Sequence, residues 1–294
     1  MPSVKLKNYL HLHFIVFIWG FTAVLGKLIQ LDAIPLVWYR MAMATLLVWA
    51  YLKIRKIDVG VSKRELFQIV LTGCAIALHW ITFFQAIKVS NVSIALSTLS
   101  AGAFMTALLE PIWFKRKLIG YELVLGILVV LGLGMIFYGE GESHAAGIGY
   151  GLLATFLGAV FSISNGQLVK SHAPSVIAFY ELGVGALLVT VFIAFRGGFV
   201  PEFFQITLSD AGYLFLLASI CTAYAFIGGV KVMRYISPYT VMLTTNLEPV
   251  YGILMAFIIF GQSEHMGGYF YLGALLILVT VLANGVLKNR IKKM

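Results

Sequence analysis

The chain has 294 residues, of which 61% are hydrophobic and only 11% are charged, whereas a soluble domain has roughly 25% charged residues. This composition excludes a water-soluble globule, and the long continuous apolar runs exclude a β-barrel, whose strands alternate with a period of two. A net charge of +9 suits nucleic-acid binding in a soluble protein, but in a membrane protein it marks cytoplasmic loops, so no nucleic-acid partner is expected.

Charged residues, Pro and Gly divide the sequence into ten predicted transmembrane helices of an all-α integral membrane protein. Their approximate bounds are 10–30, 35–52, 66–86, 92–114, 119–139, 147–169, 174–195, 210–231, 237–260 and 268–287. The first run is too long for the apolar core of a signal peptide, so we expect it to be retained. With the N-terminus in the cytoplasm, most of the 21 Lys and Arg residues fall on the cytoplasmic side. We therefore expect a plasma-membrane protein (inner membrane if Gram-negative) with both termini cytoplasmic and lipid as its surroundings.

An internal repeat relates the two halves of the chain. At a constant offset of 147 residues, the matched pairs are Cys74 and Cys221, Ser90 and Ser237, Thr98 and Thr245, and Gly126 and Gly273. The repeat predicts two five-helix domains, residues 1–143 and 144–294. Because five is an odd number, the second half must enter the membrane in the opposite direction. Inverted repeats with a site at their interface are a recurring plan of secondary transporters.

Polar and aromatic residues inside the spans are the candidates for a substrate cavity, because polar groups in hydrocarbon are costly. The candidates are Trp19, Thr22, His79, Trp80, Asn165, Tyr224, Asn246 and Glu248. Trp19 and Thr22 share a helix face, which is equally typical of close helix packing. His79 is either a proton acceptor or a structural partner of a nearby carbonyl.

Four further charged residues lie within or near the spans. Arg40, a candidate anion anchor, either binds a substrate carboxylate, pairs with an intramembrane Glu, or snorkels to the headgroups. Lys27 is expected to snorkel, and Glu110 to cap a helix or to pair at the interface. Glu181 corresponds to Arg40 in the repeat, and because the halves are inverted we expect the two on opposite sides of the membrane, unpaired.

The ninth span, Ser237–Phe260, carries Glu248 and Pro249 in an otherwise apolar stretch. A carboxylate at mid-membrane costs at least about 2.5–3.5 kcal/mol, and proline removes a backbone donor from the helix. The repeat places Ala101 and Gly102 at the corresponding positions, so we expect both the charge and the helix break to be specific to the ninth span. Glu248 either accepts a proton or an amino group, or belongs to a structural kink.

The sequence contains no GxSxG, HExxH, P-loop or dinucleotide-binding motif, so neither an enzyme nor a cofactor is predicted. The His residues show no metal-ligand spacing. Cys74 and Cys221 are expected to be small apolar side chains rather than a disulfide pair. The acidic segment Glu140–His144 is expected to form a solvated outer turn.

Several motifs occur in a familiar order along residues 10–287. They are Trp19-Gly20, Lys27, Pro35, Arg40, Glu248-Pro249, Gly261 and the run that begins at Gly273. In order and spacing they resemble an EamA-type permease of the drug/metabolite transporter superfamily. The resemblance implies ten helices in two inverted repeats, cytoplasmic termini, and movement of small metabolites through a central cavity, frequently the export of amino acids or related compounds. The chain departs from this pattern after the ninth span, where Gly261 is followed by Gln262 and the family commonly has Glu.

Two functions follow from these observations. The first is a secondary transporter that exports a small metabolite by alternating access, either coupled to protons or facilitated. The alternative is a membrane receptor or signalling subunit without transport. A receptor is expected to carry a soluble output domain, and no segment between the predicted spans is long enough to form one. The sequence leaves the substrate and the oligomeric state open.

Overall fold

The computed structural model describes residues 4–115, 117 and 119–291, and this part of the chain is built of helices without a β-strand. The α-helices are α1 (Val4–Leu28), α2 (Ala33–Ile54), α3 (Lys63–Val89), α4 (Val92–Leu99), α5 (Gly102–Phe114), α6 (Gly120–Leu168), α7 (Pro174–Phe195), α8 (Leu208–Ala218), α9 (Ala225–Val232), α10 (Pro238–Thr245), α11 (Glu248–Phe260) and α12 (Gly268–Ile291). Within the described residues, 9 helical segments are long and apolar enough to cross a membrane, and Gly268–Thr280 is a shorter apolar one. The protein is therefore an all-α multi-pass membrane protein, as predicted.

Contacts between connecting segments define two ends of the helix bundle. At the first, which we call the Arg234 end, Nη2 of Arg234 donates to the carbonyl of His172, whose ring lies 2.8 Å from Glu65. At the opposite end, which we call the Lys27 end, Nζ of Lys27 lies 2.7 Å from the carboxylate of Glu264. The Arg234 end thus gathers the start of α3 with the α6–α7 and α9–α10 connections.

The fourth and ninth spans are both broken in the middle. α4 ends at Leu99 and α5 begins at Gly102, while α10 ends at Thr245 and α11 begins at Glu248. With the repeat offset, the two breaks coincide to within one residue. The expectation that the break is specific to the ninth span is therefore wrong. Pro249 lacks the backbone donor that would continue the ninth span, whereas the fourth breaks without a proline.

Each broken span is capped by a carboxylate from the far end of the other. Glu110, near the end of α5, accepts a hydrogen bond from the backbone N–H of Tyr239 in the first turn of α10, at 2.7 Å. Glu264, just after α11, accepts from the N–H groups of Val92 and Ser93 in the first turn of α4, at 3.1 and 2.9 Å. The two spans consequently run antiparallel, as an inverted repeat requires. The full inverted five-helix arrangement stays a prediction.

α6 holds the fifth and sixth predicted spans in one helix of 49 residues. A straight helix of this length would measure about 73 Å, more than twice the thickness of the hydrocarbon core. However, Gly102 lies against Thr155 while Phe104 lies against Gly126, so the two parts of α6 lie side by side and the helix bends back. The predicted turn at Glu140–His144 is thus helical, and the side chains of residues 141–143 lie outside the described part of the structure.

Two glycines let α1 approach α11 closely. A Cβ atom on Gly20 would lie 3.1 Å from the carbonyl oxygen of Glu248, and one on Gly252 would lie 3.0 Å from the carbonyl oxygen of Gly20. Small residues at such contacts allow membrane helices to pack backbone against backbone. This packing brings Trp19, next to Gly20, and Glu248 to the same central region of the bundle.

Candidate functional site

A cavity lies in the middle of the bundle, and residues beside the breaks of both discontinuous spans line it. Its lining residues are Trp19, Thr22, Arg40, Ile76, His79, Trp80, Phe83, Leu99, Thr155, Gly158, Phe161, Ser162, Phe226, Met233, Val241, Met242, Thr245 and Glu248. Its empty volume, with the open mouth included, is about 810 Å³. Met233 and Val241 place one side of the cavity near the Arg234 end. The walls are largely aromatic and aliphatic, with a few polar groups among them.

The structure brings six of the sequence-predicted residues to this cavity: Trp19, Thr22, Arg40, His79, Trp80 and Glu248. Three others lie elsewhere. Asn165 points away and donates from Nδ2 to Glu181 at 3.0 Å. Tyr224 is 45% exposed, and its hydroxyl lies 3.1 Å from the ring of His11. Asn246 lines a second, smaller cavity of about 250 Å³.

Arg40 is buried, with 1% of its surface exposed, so it does not snorkel to the headgroups. Its Nε donates to the hydroxyl of Thr222 at 2.7 Å, and its guanidinium carbon lies 3.7 Å from the ring centroid of Trp80. The Nη1 atom is buried and has no hydrogen-bond partner. A buried donor without a partner is costly, which makes this guanidinium a ready binding group for an anion in the cavity.

Glu248 is the first residue of α11 and is 7% exposed. A carboxylate at a helix N-terminus interacts favourably with the helix dipole. Within the described part of the chain, no salt bridge joins Glu248 to Arg40, although the two groups are near enough to interact electrostatically. The cavity therefore contains two side chains of opposite formal charge, each available to a ligand.

His79 makes a structural hydrogen bond. Its Nδ1 lies 2.6 Å from the carbonyl oxygen of Ala154, and because a carbonyl only accepts, Nδ1 carries the proton in this contact. The ring stacks on Phe83 with 6.2 Å between centroids and lies beside Gly158, where a Cβ atom would approach it to 3.2 Å. These contacts agree with the carbonyl-bound interpretation of His79 and fix its ring at the cavity wall.

Sequence reasoning missed two hydroxyl groups near the charges. Ser162 lines the cavity, and its buried hydroxyl has no hydrogen-bond partner. Thr222 lies in a π-helical segment, Ser219–Tyr224, which joins α8 to α9. The widened turn directs Thr222 inward to Arg40 and leaves Tyr224 on the outside of the bundle. The sequence could have indicated Ser162, because this hydroxyl residue lies three positions before Asn165 in the same span. Nothing in the local sequence marks the π-turn that contains Thr222.

Lys27 and Glu264 close the bundle at the Lys27 end. Besides pairing with Glu264, the Lys27 ammonium donates to the hydroxyl of Ser263 at 2.9 Å and lies 4.5 Å from the ring centroid of Phe260. Lys27 therefore has a buried carboxylate partner that the sequence did not indicate, and its snorkelling to the interface stays a prediction. Glu264 lies two residues after Gln262, the position at which EamA-type permeases commonly have Glu. The side chain of Glu264 is fully buried.

Comparisons with known proteins agree with this architecture. A solved crystal structure superimposes with a TM-score of 0.71 over 95% of this chain and 97% of that chain, and at 13% sequence identity this likeness shows the fold alone. Among curated proteins, none matches the chain. The sequence model of the EamA-like transporter family matches residues 7–138 and again residues 145–285. Because these two matches cover most of the sequence, the chain belongs to the EamA-like transporter family.

Proposed function

We propose that this family transporter exports small metabolites, amino acids or related compounds, by alternating access through the central cavity. The observation that carries the proposal is that two side chains of opposite formal charge, Arg40 and Glu248, line one largely apolar cavity without forming a salt bridge with each other. An amino acid presents the complementary pair of charges at one end and a side chain of variable polarity at the other. The aromatic walls suit that side chain.

Arg40 binds the substrate carboxylate in this proposal. Its Nη1 atom lacks a partner in the structure, so a carboxylate oxygen would satisfy it with a charge-assisted hydrogen bond. Trp80 stacks on the guanidinium and leaves its edge for the substrate. An analogue without the negative charge leaves the buried donor unsatisfied, so it should bind about ten- to a hundredfold more weakly.

Glu248 binds the substrate amino group, or a proton when no substrate is present. One carboxyl group that holds either of the two cations, but not both, would couple substrate exit to proton entry. The position of Glu248 at the break of the ninth span supports this role, because discontinuous helices are where transporters commonly place substrate and coupling-ion sites.

The cavity geometry supports loading from the cytoplasm. The cavity reaches Met233 and Val241 near the Arg234 end, and Lys27 and Glu264 close the opposite end. Basic residues collect in the connections at the Arg234 end, which is therefore the expected cytoplasmic side of the plasma membrane, with both chain termini on that side. In this conformation the cavity would load substrate from the cytoplasm, and the alternating-access step would then release it outside.

Counterflow in liposomes tests the proposal. Purified protein is reconstituted into liposomes that enclose one unlabelled compound from a panel of amino acids, their carboxamides and their N-acetyl derivatives. Uptake of the same compound in labelled form is then followed. We expect counterflow with the zwitterions and at least about tenfold less with either neutralised series. Arg40→Lys keeps the charge but loses the planar fork, and should behave as the carboxamides do. The exposed Arg196→Lys is the matched control, and absence of counterflow with every compound overturns the proposal.

A further inference from the structure

We infer that Thr222 is a positioning residue, which the π-helical segment Ser219–Tyr224 presents to Arg40 so that the Nη1 atom of Arg40 stays free for the substrate carboxylate. The inference rests on the proposed function and adds the residue that sets the affinity for the anionic group. Thr222 is fully buried and is not among the residues that line the cavity, so it acts through Arg40.

The π-turn fixes both sides of the Thr222 hydroxyl. In an α-helix, a threonine hydroxyl ordinarily donates to the carbonyl three or four residues earlier. Here it donates to the carbonyl of Leu217, five residues earlier, at 2.7 Å, as the wider turn allows. The single hydroxyl proton is thereby committed to the backbone. The oxygen is left as an acceptor, and Nε of Arg40 donates to it at 2.7 Å.

Two contacts then determine the orientation of the guanidinium group. Thr222 holds it by the Nε edge, and the ring of Trp80, 3.7 Å from the guanidinium carbon, restricts its plane. With both contacts present, Nη1 is the buried donor that remains without a partner. Loss of the Thr222 hydroxyl would leave Nε unsatisfied as well, and the group would turn about its side chain to find another acceptor.

The arrangement is confined to one half of the chain. The repeat offset of 147 residues pairs Thr222 with Ala75, which has no hydroxyl group, and α3 runs from Lys63 to Val89 as an uninterrupted α-helix. The π-turn is therefore not required by the duplicated scaffold. Single π-turns inside α-helices are found frequently at functional sites, and this one faces the charged group of the cavity.

Transport by Thr222→Val and Thr222→Ser tests the inference, with the best zwitterion of the counterflow panel as substrate. Valine keeps the shape and removes the acceptor, so we expect the half-saturation concentration to rise about tenfold while the maximal rate stays within about twofold. Serine restores the acceptor and should return the half-saturation concentration to the wild-type range. With the carboxamide of the same substrate, the half-saturation concentrations of Thr222→Val and the wild type should differ much less. Thr45→Val, which removes a hydroxyl bonded within α2, is the matched control.

A second readout does not need transport. Phenylglyoxal modifies free guanidinium groups, and peptide mass spectrometry gives the rate at Arg40 in each variant. We expect Thr222→Val to raise this rate severalfold and Thr222→Ser to leave it unchanged. If the wild type transports no compound, the proposed function fails, and the modification rate alone judges whether Thr222 holds Arg40. If the wild type is active, an unchanged half-saturation concentration in Thr222→Val overturns the inference, whether or not the modification rate changes.

Discussion

In the proposed function, Glu248 is the side chain that binds either the substrate amino group or the coupling proton. Glu248→Gln keeps the size of the buried group and removes its ability to exchange a proton. We therefore expect substrate accumulation driven by a pH gradient to fall at least about tenfold. The measurement compares accumulation in proteoliposomes with and without a pH difference across the membrane. Glu202→Gln, at an exposed carboxyl, is the control, and gradient-driven accumulation that persists in Glu248→Gln contradicts the proton role.

Single residues also show where sequence reasoning succeeds. Arg40 and Glu248 were identifiable because a charge within an apolar span is costly and needs a reason. Tyr224 was a cavity candidate because it is a hydroxyl within the eighth span, but the π-turn at Ser219–Tyr224 changes the direction of the side chains there. Thr222 was missed for the same reason. The extra residue of a π-turn depends on what the helix packs against, and the apolar pattern of the span does not record it.

Among the structural elements, the two discontinuous spans depend on charges supplied by each other. Glu264 is fully buried, caps the first turn of α4 and pairs with Lys27. Without Lys27, the buried carboxylate of Glu264 would keep only its hydrogen bonds to uncharged groups of Val92 and Ser93. We therefore expect Lys27→Gln to lower the free energy of unfolding by about 1–3 kcal/mol. Thermal unfolding in detergent measures the effect, with the exposed Lys53→Gln as control.

A double-mutant cycle separates the Lys27–Glu264 pair from the helix cap. Because Glu264 also caps α4, Glu264→Gln should destabilise more than Lys27→Gln, and the double variant should be less destabilised than the sum of the two by about 1 kcal/mol. Strict additivity would mean that the two side chains contribute independently and that the ion pair does not stabilise the Lys27 end.

The helix break in the fourth span shows the limit of comparing residue types between repeats. The two breaks align at the repeat offset, but only the ninth span has a proline at its break, and the shared break was therefore missed. The break of the fourth span lies at Gly102, which contacts Met242 of the other broken span. The carboxylate caps join residues more than a hundred positions apart, such as Glu110 and Tyr239. Local patterns predict where helices exist, whereas these features depend on which helices become neighbours.

For the whole molecule, the low charge content and the long apolar runs were enough to predict a multi-pass helical bundle, because the bilayer sets the length of each spanning segment. The bend of α6 was predicted as an interruption, since a chain that reverses direction usually loses its helical hydrogen bonds. Here helical structure continues through Glu140–His144, and the contacts of Gly102 and Phe104 show that the chain still reverses direction there.

Orientation in the membrane decides which compartment the cavity faces in this conformation, because the cavity reaches the Arg234 end. With that end in the cytoplasm, we expect an impermeant maleimide on intact cells to label Glu202→Cys, between α7 and α8, and to leave Lys56→Cys, between α2 and α3, unlabelled. The background is a transport-active variant without Cys74 and Cys221, and permeabilised cells serve as the control for reactivity of both positions. The reverse labelling pattern would place the opening of the cavity outside. Arg40 and Glu248 would then face the exterior in this conformation, and the proposed loading from the cytoplasm would lose its structural support.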